Sequence, residues 1–199
     1  MKKVKRDEIL DLGAYEQIRE RFRAAVIEEK KNRRFSVSDE LSIVFENHTT
    51  VLFQIQEMLR TERITREAAI EHEIDTYNDL IPAAGELSAT LFVEIADRDT
   101  RERRLVELAG LEDSFALDVG GRIYPARSET RGVMPDRTTA VHYVKFPLDA
   151  EGVAAVIAAG RSGGVPAPRL RVRHAHLEVT TPLPPGVARA VAEDLADTD

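Results

Sequence analysis

The sequence predicts an α+β fold, in which a helical N-terminal half packs with a mostly antiparallel β-sheet in the C-terminal half. Two observations support this class: apolar residues recur at helical spacing before residue 84, and they alternate in short runs after it. The chain has 199 residues, of which 43% are hydrophobic, so it can bury a core. We expect a helical region with one strand at 1–84 and a β-rich region with short helices at 85–199, either as two units or as a single compact domain.

The first predicted helix covers residues 14–31, where Ile18, Phe22 and Val26 lie four residues apart. Asp11 precedes this helix and can cap its first turn. Residues 36–46 then alternate between apolar and polar side chains, and an Asn-His break follows at 47–48. The sequence therefore predicts one helix followed by one strand.

The segment at 50–60 fits two periods, because its apolar residues alternate at 51, 53 and 55 but also follow helical spacing at 51, 55, 58 and 59. We predict a helix, since Gln, Glu, Met, Leu and Arg favour helices and Thr49 or Thr50 can cap it. A clearer helix begins at Thr65 and ends at Pro82. Two consecutive helices thus precede the boundary near residue 84.

The second half alternates strands with short helices. Its strongest local signal is a hairpin at 115–124, because Gly120 and Gly121 can supply the positive φ angles of a tight turn. The other predicted strands cover residues 86–95, 139–148 and 170–180, and the predicted helices cover 99–109, 149–159 and 187–195.

Composition excludes several classes of function. The chain contains no cysteine, which removes thiol catalysis, disulfides and cysteine-ligated clusters. The net charge is -7, and the basic run at 30–34 lacks interleaved aromatic residues, so we expect no nucleic-acid binding. The start has no apolar stretch, and the longest apolar run, 153–159, is too short to span a bilayer. We expect a cytoplasmic protein; no nucleotide motif is present, and we assign no cofactor.

One polar cluster belongs to the two consecutive helices. Glu57 and Arg60 are three residues apart and Glu73 and Tyr77 four apart, so each pair shares a helix face. One hypothesis is a polar pocket in which Arg60 holds an anion, or in which Glu57 and Glu73 handle protons or a metal. The alternative is a structural ion pair between Arg60 and Glu73, with Tyr77 and Asn78 completing the hydrogen bonds. The candidate residues are Gln56, Glu57, Arg60, Glu62, Glu73, Asp75, Tyr77 and Asn78.

Histidines form a second candidate site. His174 and His176 are two apart on the strand predicted at 170–180, so both should point to one face, as metal-ligating pairs do. His142, on another predicted strand, is a candidate third ligand. The alternative is that His142 is a core residue and the other two are exposed beside Glu178.

Three strings carry a resemblance to a known family: FEN at 45–47, QIQEMLRTERI at 54–64 and EIDTYNDLIP at 73–82. Shorter matches are RDEI at 6–9, KKNRR at 30–34 and AVHYVKF at 140–146. The sequence resembles the bacterial family called domain of unknown function 3501 (DUF3501) over nearly the whole chain. His142 and His174 fit the family pattern but His176 and His72 do not, which favours the helical polar cluster over the metal site.

The resemblance implies partners rather than a reaction. Such proteins are often encoded beside rubrerythrin-like proteins and iron–sulfur oxidoreductases of the glycolate-oxidase or heterodisulfide-reductase type. Our leading hypothesis is therefore an accessory protein of a redox system, since a chain without cysteine must leave cluster or thiol chemistry to a partner. The alternative is a small-molecule or metal-dependent enzyme around Glu57, Arg60 and Glu73, and whether the chain is an enzyme stays open.

Charge also predicts self-association. Residues 1–34 carry 11 basic and 7 acidic side chains, a net charge of +4 against -11 for the remainder. Each molecule thus offers complementary surfaces, and the first helix has an apolar face with Phe22 and Val26. We expect a homodimer whose contact involves this helix.

Overall fold

The protein is described by a computed structural model that covers residues 1–128, 134, 136–161 and 166–197. Within these residues six α-helices and two antiparallel sheets form an α+β fold, which confirms the predicted class. The helices are α1 (Leu12–Lys31), α2 (His48–Glu62), α3 (Glu67–Asn78), α4 (Arg98–Glu107), α5 (Ala150–Arg161) and α6 (Pro185–Ala196). The strands are β1 (Arg34–Ser36), β2 (Leu41–Phe45), β3 (Glu86–Val93), β4 (Phe115–Val119), β5 (Arg122–Pro125), β6 (Arg127–Ser128), β7 (Val141–Pro147), β8 (Arg169–His174) and β9 (Leu177–Pro182).

The strands form one five-stranded and one four-stranded sheet. The larger sheet has the order β1-β2-β3-β7-β6, and the smaller has the order β5-β4-β8-β9. β2 pairs with β3 from Leu41 opposite Val93 to Phe45 opposite Ala89, so strands from both halves of the sequence share one sheet. None of the helices in the described ranges is long and apolar enough to cross a membrane.

Two segments that the sequence predicts as single strands, 36–46 and 170–180, each contain a turn between two paired strands. The segment at 36–46 turns at Ser38–Glu40, where the Val37 N–H donates to the Leu41 carbonyl at 2.7 Å, and β1 then pairs with β2. The segment at 170–180 divides into β8 and β9 at a turn containing Ala175 and His176. In both segments the alternation of apolar and polar residues is that of a single strand. Periodicity alone therefore does not show where the chain reverses direction.

The ambiguous segment at 50–60 is helical, as predicted, but its cap differs. α2 begins at His48, and the Asn47 side chain accepts a hydrogen bond of 2.9 Å from the Thr50 N–H. Thr50 itself donates back to that turn and is fully buried. Asn47 is therefore the N-cap in place of Thr49 or Thr50. The predicted glycine hairpin is confirmed, with φ of 61° at Gly120 and 92° at Gly121.

The described residues contain two apolar clusters. The large core lies between the two sheets and under α5 and α6, and it includes Phe45, Leu117 and Phe146. The small core lies between α2, α3 and the opposite side of the five-stranded sheet, and it includes Ile55 and Ile74. The N-terminal segment, residues 1–11, crosses this small core and buries Val4 and Ile9 in it.

Candidate functional site

Two buried amide side chains of the predicted polar cluster bind the N-terminal segment. The Asn78 side chain accepts from the Val4 N–H at 2.8 Å and donates to the Val4 carbonyl at 3.0 Å. The Gln56 side chain makes the same pair of bonds with Leu10, at 2.7 and 3.3 Å. Each side-chain amide thus pairs with the backbone N–H and C=O of one residue, as a neighbouring β-strand would. These bonds use the oxygen and one N–H of each amide inside the protein.

Glu57 joins α2 to α1. Its carboxylate accepts hydrogen bonds from the Tyr15 hydroxyl at 2.7 Å and from Nε and Nη2 of Arg19, each at 2.8 Å. The hydrogen bonds from Arg19, with that from Tyr15, lower the pKa of Glu57 to about 2 against the opposing effect of burial. Burial, followed by the bond to Glu57, raises the pKa of Tyr15. At neutral pH Glu57 is therefore charged and Tyr15 protonated, so this pair is suited to holding two helices together rather than to exchanging protons.

Arg60 pairs with acidic residues other than the one predicted. Its Nη1 lies 3.4 Å from Glu16 on α1, and its Nε lies 3.6 Å from Glu57 one turn earlier on α2. Within the described residues Arg60 is not within ion-pair distance of Glu73, so the predicted Arg60–Glu73 pair is wrong. The reason is that α1 also packs on α2 and supplies the carboxylate of Glu16, while Glu57 lies one turn away on α2 itself. The Nε of Arg60 is buried and makes no hydrogen bond to any described residue.

The remaining candidates of the cluster do not converge with these groups. Glu62 and Asp75 are exposed, and Glu73 is half-buried. Tyr77 is also half-buried; burial raises the pKa of its hydroxyl, and the nearby Tyr143 and Glu73 add to this effect. The eight predicted residues are therefore divided. Gln56 and Asn78, the amide clasps, hold the N-terminal segment, and Glu57 and Arg60 belong to the α1–α2 network. Glu62 lies at the exposed end of α2, and the other three lie on α3.

The structure does not assemble the predicted histidine site. His142 lies on β7 of the larger sheet, His174 ends β8 of the smaller sheet, and His176 lies in the turn after it. The alternation of a strand therefore does not apply to the pair at 174 and 176. His174 Nε2 lies 2.9 Å from the Ala109 carbonyl, and its Nδ1 accepts the His176 N–H at 3.2 Å, which occupies both ring nitrogens. No group of three His, Asp or Glu side chains in the described part of the chain is arranged to hold a metal ion.

His142 belongs to a buried chain of polar groups that sequence reasoning missed. Its Nε2 lies 3.2 Å from the Thr138 hydroxyl, which donates to the Glu112 carboxylate at 3.0 Å. All three residues are buried. Burial lowers the pKa of His142, although the charge of Glu112 opposes the change. The partners lie 4 and 30 residues away in the sequence, outside any helix or strand that contains His142, so no spacing indicates them.

Two further buried polar groups were also missed. Glu46 is only 2% exposed, and its carboxylate accepts hydrogen bonds from the hydroxyls of Thr50 and Thr90. Arg33 is 5% exposed and binds Asp194 through two hydrogen bonds of 2.6 and 3.0 Å, which joins the end of α1 to α6. The FEN and KKNRR strings contain Glu46 and Arg33, so the resemblance pointed to these positions without showing their partners.

The fold and these contacts define a two-sheet α+β protein whose polar helices hold an N-terminal segment over a small core. The family model described as a protein of unknown function (DUF3501) matches residues 3–195. The chain therefore belongs to the DUF3501 family.

One solved structure is similar to this chain over nearly its whole length. The crystal structure of a novel protein of unknown function from Burkholderia pseudomallei K96243 is 33% identical to this chain, with a TM-score of 0.89. The match covers 98% of this chain and 100% of that one. No curated protein matches the chain.

Proposed function

We propose that this chain is a cytoplasmic accessory protein of a bacterial redox system, which acts by binding rubrerythrin-like or iron–sulfur proteins rather than by catalysis. The observation that carries the proposal is what the polar residues of the strings at 54–64 and 73–82 bind. Gln56 and Asn78 bind backbone atoms of the N-terminal segment, and Glu57 binds Tyr15 and Arg19. Such residues order a surface that another protein can recognise.

The absence of cysteine supports the same division of labour. Iron–sulfur clusters are held chiefly by thiolates, and dithiol exchange requires two cysteines, so redox chemistry of either kind would belong to the partner. The uneven charge of the chain adds an electrostatic contribution to encounter, because +4 in residues 1–34 attracts an acidic surface.

The test is affinity purification of the full chain from its host under gentle conditions, followed by mass spectrometry and by binding measurements with the purified partner. We expect a rubrerythrin-like or iron–sulfur protein to be enriched over an unrelated tagged protein of similar size. The purified pair should then bind, with an association rate that falls as salt is added. Recovery of no redox protein, or a purified pair that does not bind, contradicts the proposal.

A second candidate function is a small-molecule enzyme around Glu57 and Arg60, without Glu73, which lies apart from them on α3. One observation favours it: the buried Nε of Arg60 is an unused donor beside the charged Glu57 carboxylate. In this case Arg60→Ala abolishes turnover while the melting temperature changes little. If Arg60 only stabilises the α1–α2 contact, the same variant lowers the melting temperature, and Arg60→Lys partly restores it.

The homodimer stays a prediction, but the structure limits its contact. Phe22 packs edge-on against Tyr15 and Phe53, with ring centroids 6.4 and 5.8 Å apart, and Val26 is buried. The apolar face of α1 is therefore covered by its own chain. A dimer through this helix would use its outer face, where Ile27 is 44% exposed. Light scattering at low and high salt separates a charged contact from an apolar one.

A further inference from the structure

A cavity of about 200 Å³ lies at the β6 end of the five-stranded sheet, next to the residues that follow α3. It is separate from the polar cluster of α2 and from the histidines. Its apolar lining residues are Leu80 and Val144, and the residues with polar side chains are Asp79, Ser88, Arg127, Ser128, Tyr143 and Lys145. Neither the sequence patterns nor the proposed function accounts for this set.

Three of these residues form one row across three strands. Ser88 on β3 lies opposite Lys145 on β7, and Lys145 lies opposite Arg127 on β6. Residues directly opposite each other in an antiparallel pair project from the same face of the sheet, with Cβ atoms about 5 Å apart. The row therefore brings two cations and a hydroxyl to the same side of the cavity.

Of the two cations, only Lys145 forms an ion pair with a described carboxylate. Lys145 Nζ lies 3.2 Å from Glu86, whereas Arg127 has no carboxylate within ion-pair distance among the described residues. Like charges placed directly opposite each other on a sheet destabilise it unless an anion lies between them. Asp79 and Tyr143, which also line the cavity, have interactions of their own. Among the described residues, Arg127 is thus the cation of this row that has no carboxylate partner and can bind a ligand.

Ser88 adds a hydroxyl donor to the row. The residue is only 2% exposed and lines the cavity. Its hydroxyl can therefore donate a hydrogen bond to a ligand oxygen that enters the cavity.

We propose that this cavity binds a small tetrahedral oxyanion of the phosphate or sulfate type. Arg127 can bind two of its oxygens through the guanidinium fork, Lys145 adds an ammonium donor, and Ser88 donates from its hydroxyl. These donors approach from three adjacent strands, which suits an acceptor with oxygens on several sides. The negative charge of the ligand also reduces the repulsion between Arg127 and Lys145, which lie opposite each other on β6 and β7.

The test measures binding of inorganic phosphate and, in a separate arm, inorganic sulfate to the full chain by calorimetry, with chloride at matched ionic strength as the baseline. We expect saturable binding of at least one anion and a rise in melting temperature that grows with its concentration. Arg127→Gln should weaken binding about tenfold or more, because charge-assisted hydrogen bonds are lost. Ser88→Ala should weaken it severalfold, and Arg127→Lys should restore part of the affinity.

The matched control is Arg169→Gln on β8, which also replaces an exposed strand arginine without an ion pair among the described residues. Its affinity for the anion should equal that of the unmodified chain. All variants are compared only after their melting temperatures show that they are folded. Absence of saturable binding for both anions, or equal binding by the Arg127→Gln and Arg169→Gln variants, overturns the proposal.

Discussion

The two apolar clusters of the described residues differ about threefold in size. The core between the sheets contains 26 buried residues, whereas the core under α2 and α3 contains nine. Around the smaller one, the N-terminal segment is held by directional bonds from Gln56 and Asn78, and α1 is held by the Glu57 network. The larger core depends chiefly on the burial of apolar surface.

This difference shows which interactions fix the position of each part of the chain. Apolar burial is not directional, so a small cluster alone would allow residues 1–11 to shift along the helices. The amide clasps require one residue at each position, Val4 at Asn78 and Leu10 at Gln56. The helical region is therefore specified by hydrogen bonds that contribute modestly to stability, and the two-sheet region by packing that contributes most of it.

The largest effect is expected at Arg33, because its ion pair with Asp194 connects the two regions. Arg33→Ala should lower the free energy of unfolding by about 3–5 kcal/mol, since it leaves the Asp194 carboxylate, whose side chain is only 11% exposed, without its cation. Denaturant titration measures this loss. Arg34→Ala is the control: its partner is Glu94, both side chains are about half exposed, and the expected loss is about 0–1 kcal/mol. Equal losses for the two variants would show that the connection contributes nothing specific.

A smaller and more local effect is expected at the clasps. Asn78→Ala removes both bonds to Val4 and should cost about 1–3 kcal/mol at most, because the freed segment can regain hydrogen bonds from water. Hydrogen exchange should accelerate at the Val4 amide, while the amide of Leu91 in the centre of the larger sheet stays protected. Asp75→Ala, an exposed change on the same helix, should leave both amides unchanged. Faster exchange at Leu91 as well would contradict the division between the regions.

The smallest effect is a pH dependence from His142. Because burial lowers its pKa below the ordinary value of 6.5, the unfolded chain takes up a proton that the folded chain does not. The stability conferred by the neutral ring is complete well above pH 6.5. As the pH falls below 6.5 towards the folded pKa, this stability is lost by up to about 1.4 kcal/mol per pH unit. Denaturant titrations from pH 7.5 to 5.5 measure this slope. It should flatten in His142→Gln and persist in His72→Gln, where the exposed ring is the control.

The sequence predicts the elements of this fold better than the contacts of its polar residues. Helical spacing and the glycine turn at 120–121 mark several elements correctly, because these patterns are local. Gln56 and Asn78 are identified as special but not explained, since their partners are backbone atoms 46 and 74 residues away. The assignment of Arg60 to Glu73 fails for a related reason: Arg60 pairs with Glu16 on α1, which is 44 residues away in the sequence.

The clasped N-terminal segment also sets an order for assembly during synthesis. Val4 and Leu10 are made before Asn78 and Gln56, so the segment has no binding site until α2 and α3 have been translated and have folded against each other. Closure of loops this long costs conformational entropy that the helices must already have offset by packing. Residues 1–11 are therefore synthesised before the helices that hold them and acquire a fixed position only after those helices have folded.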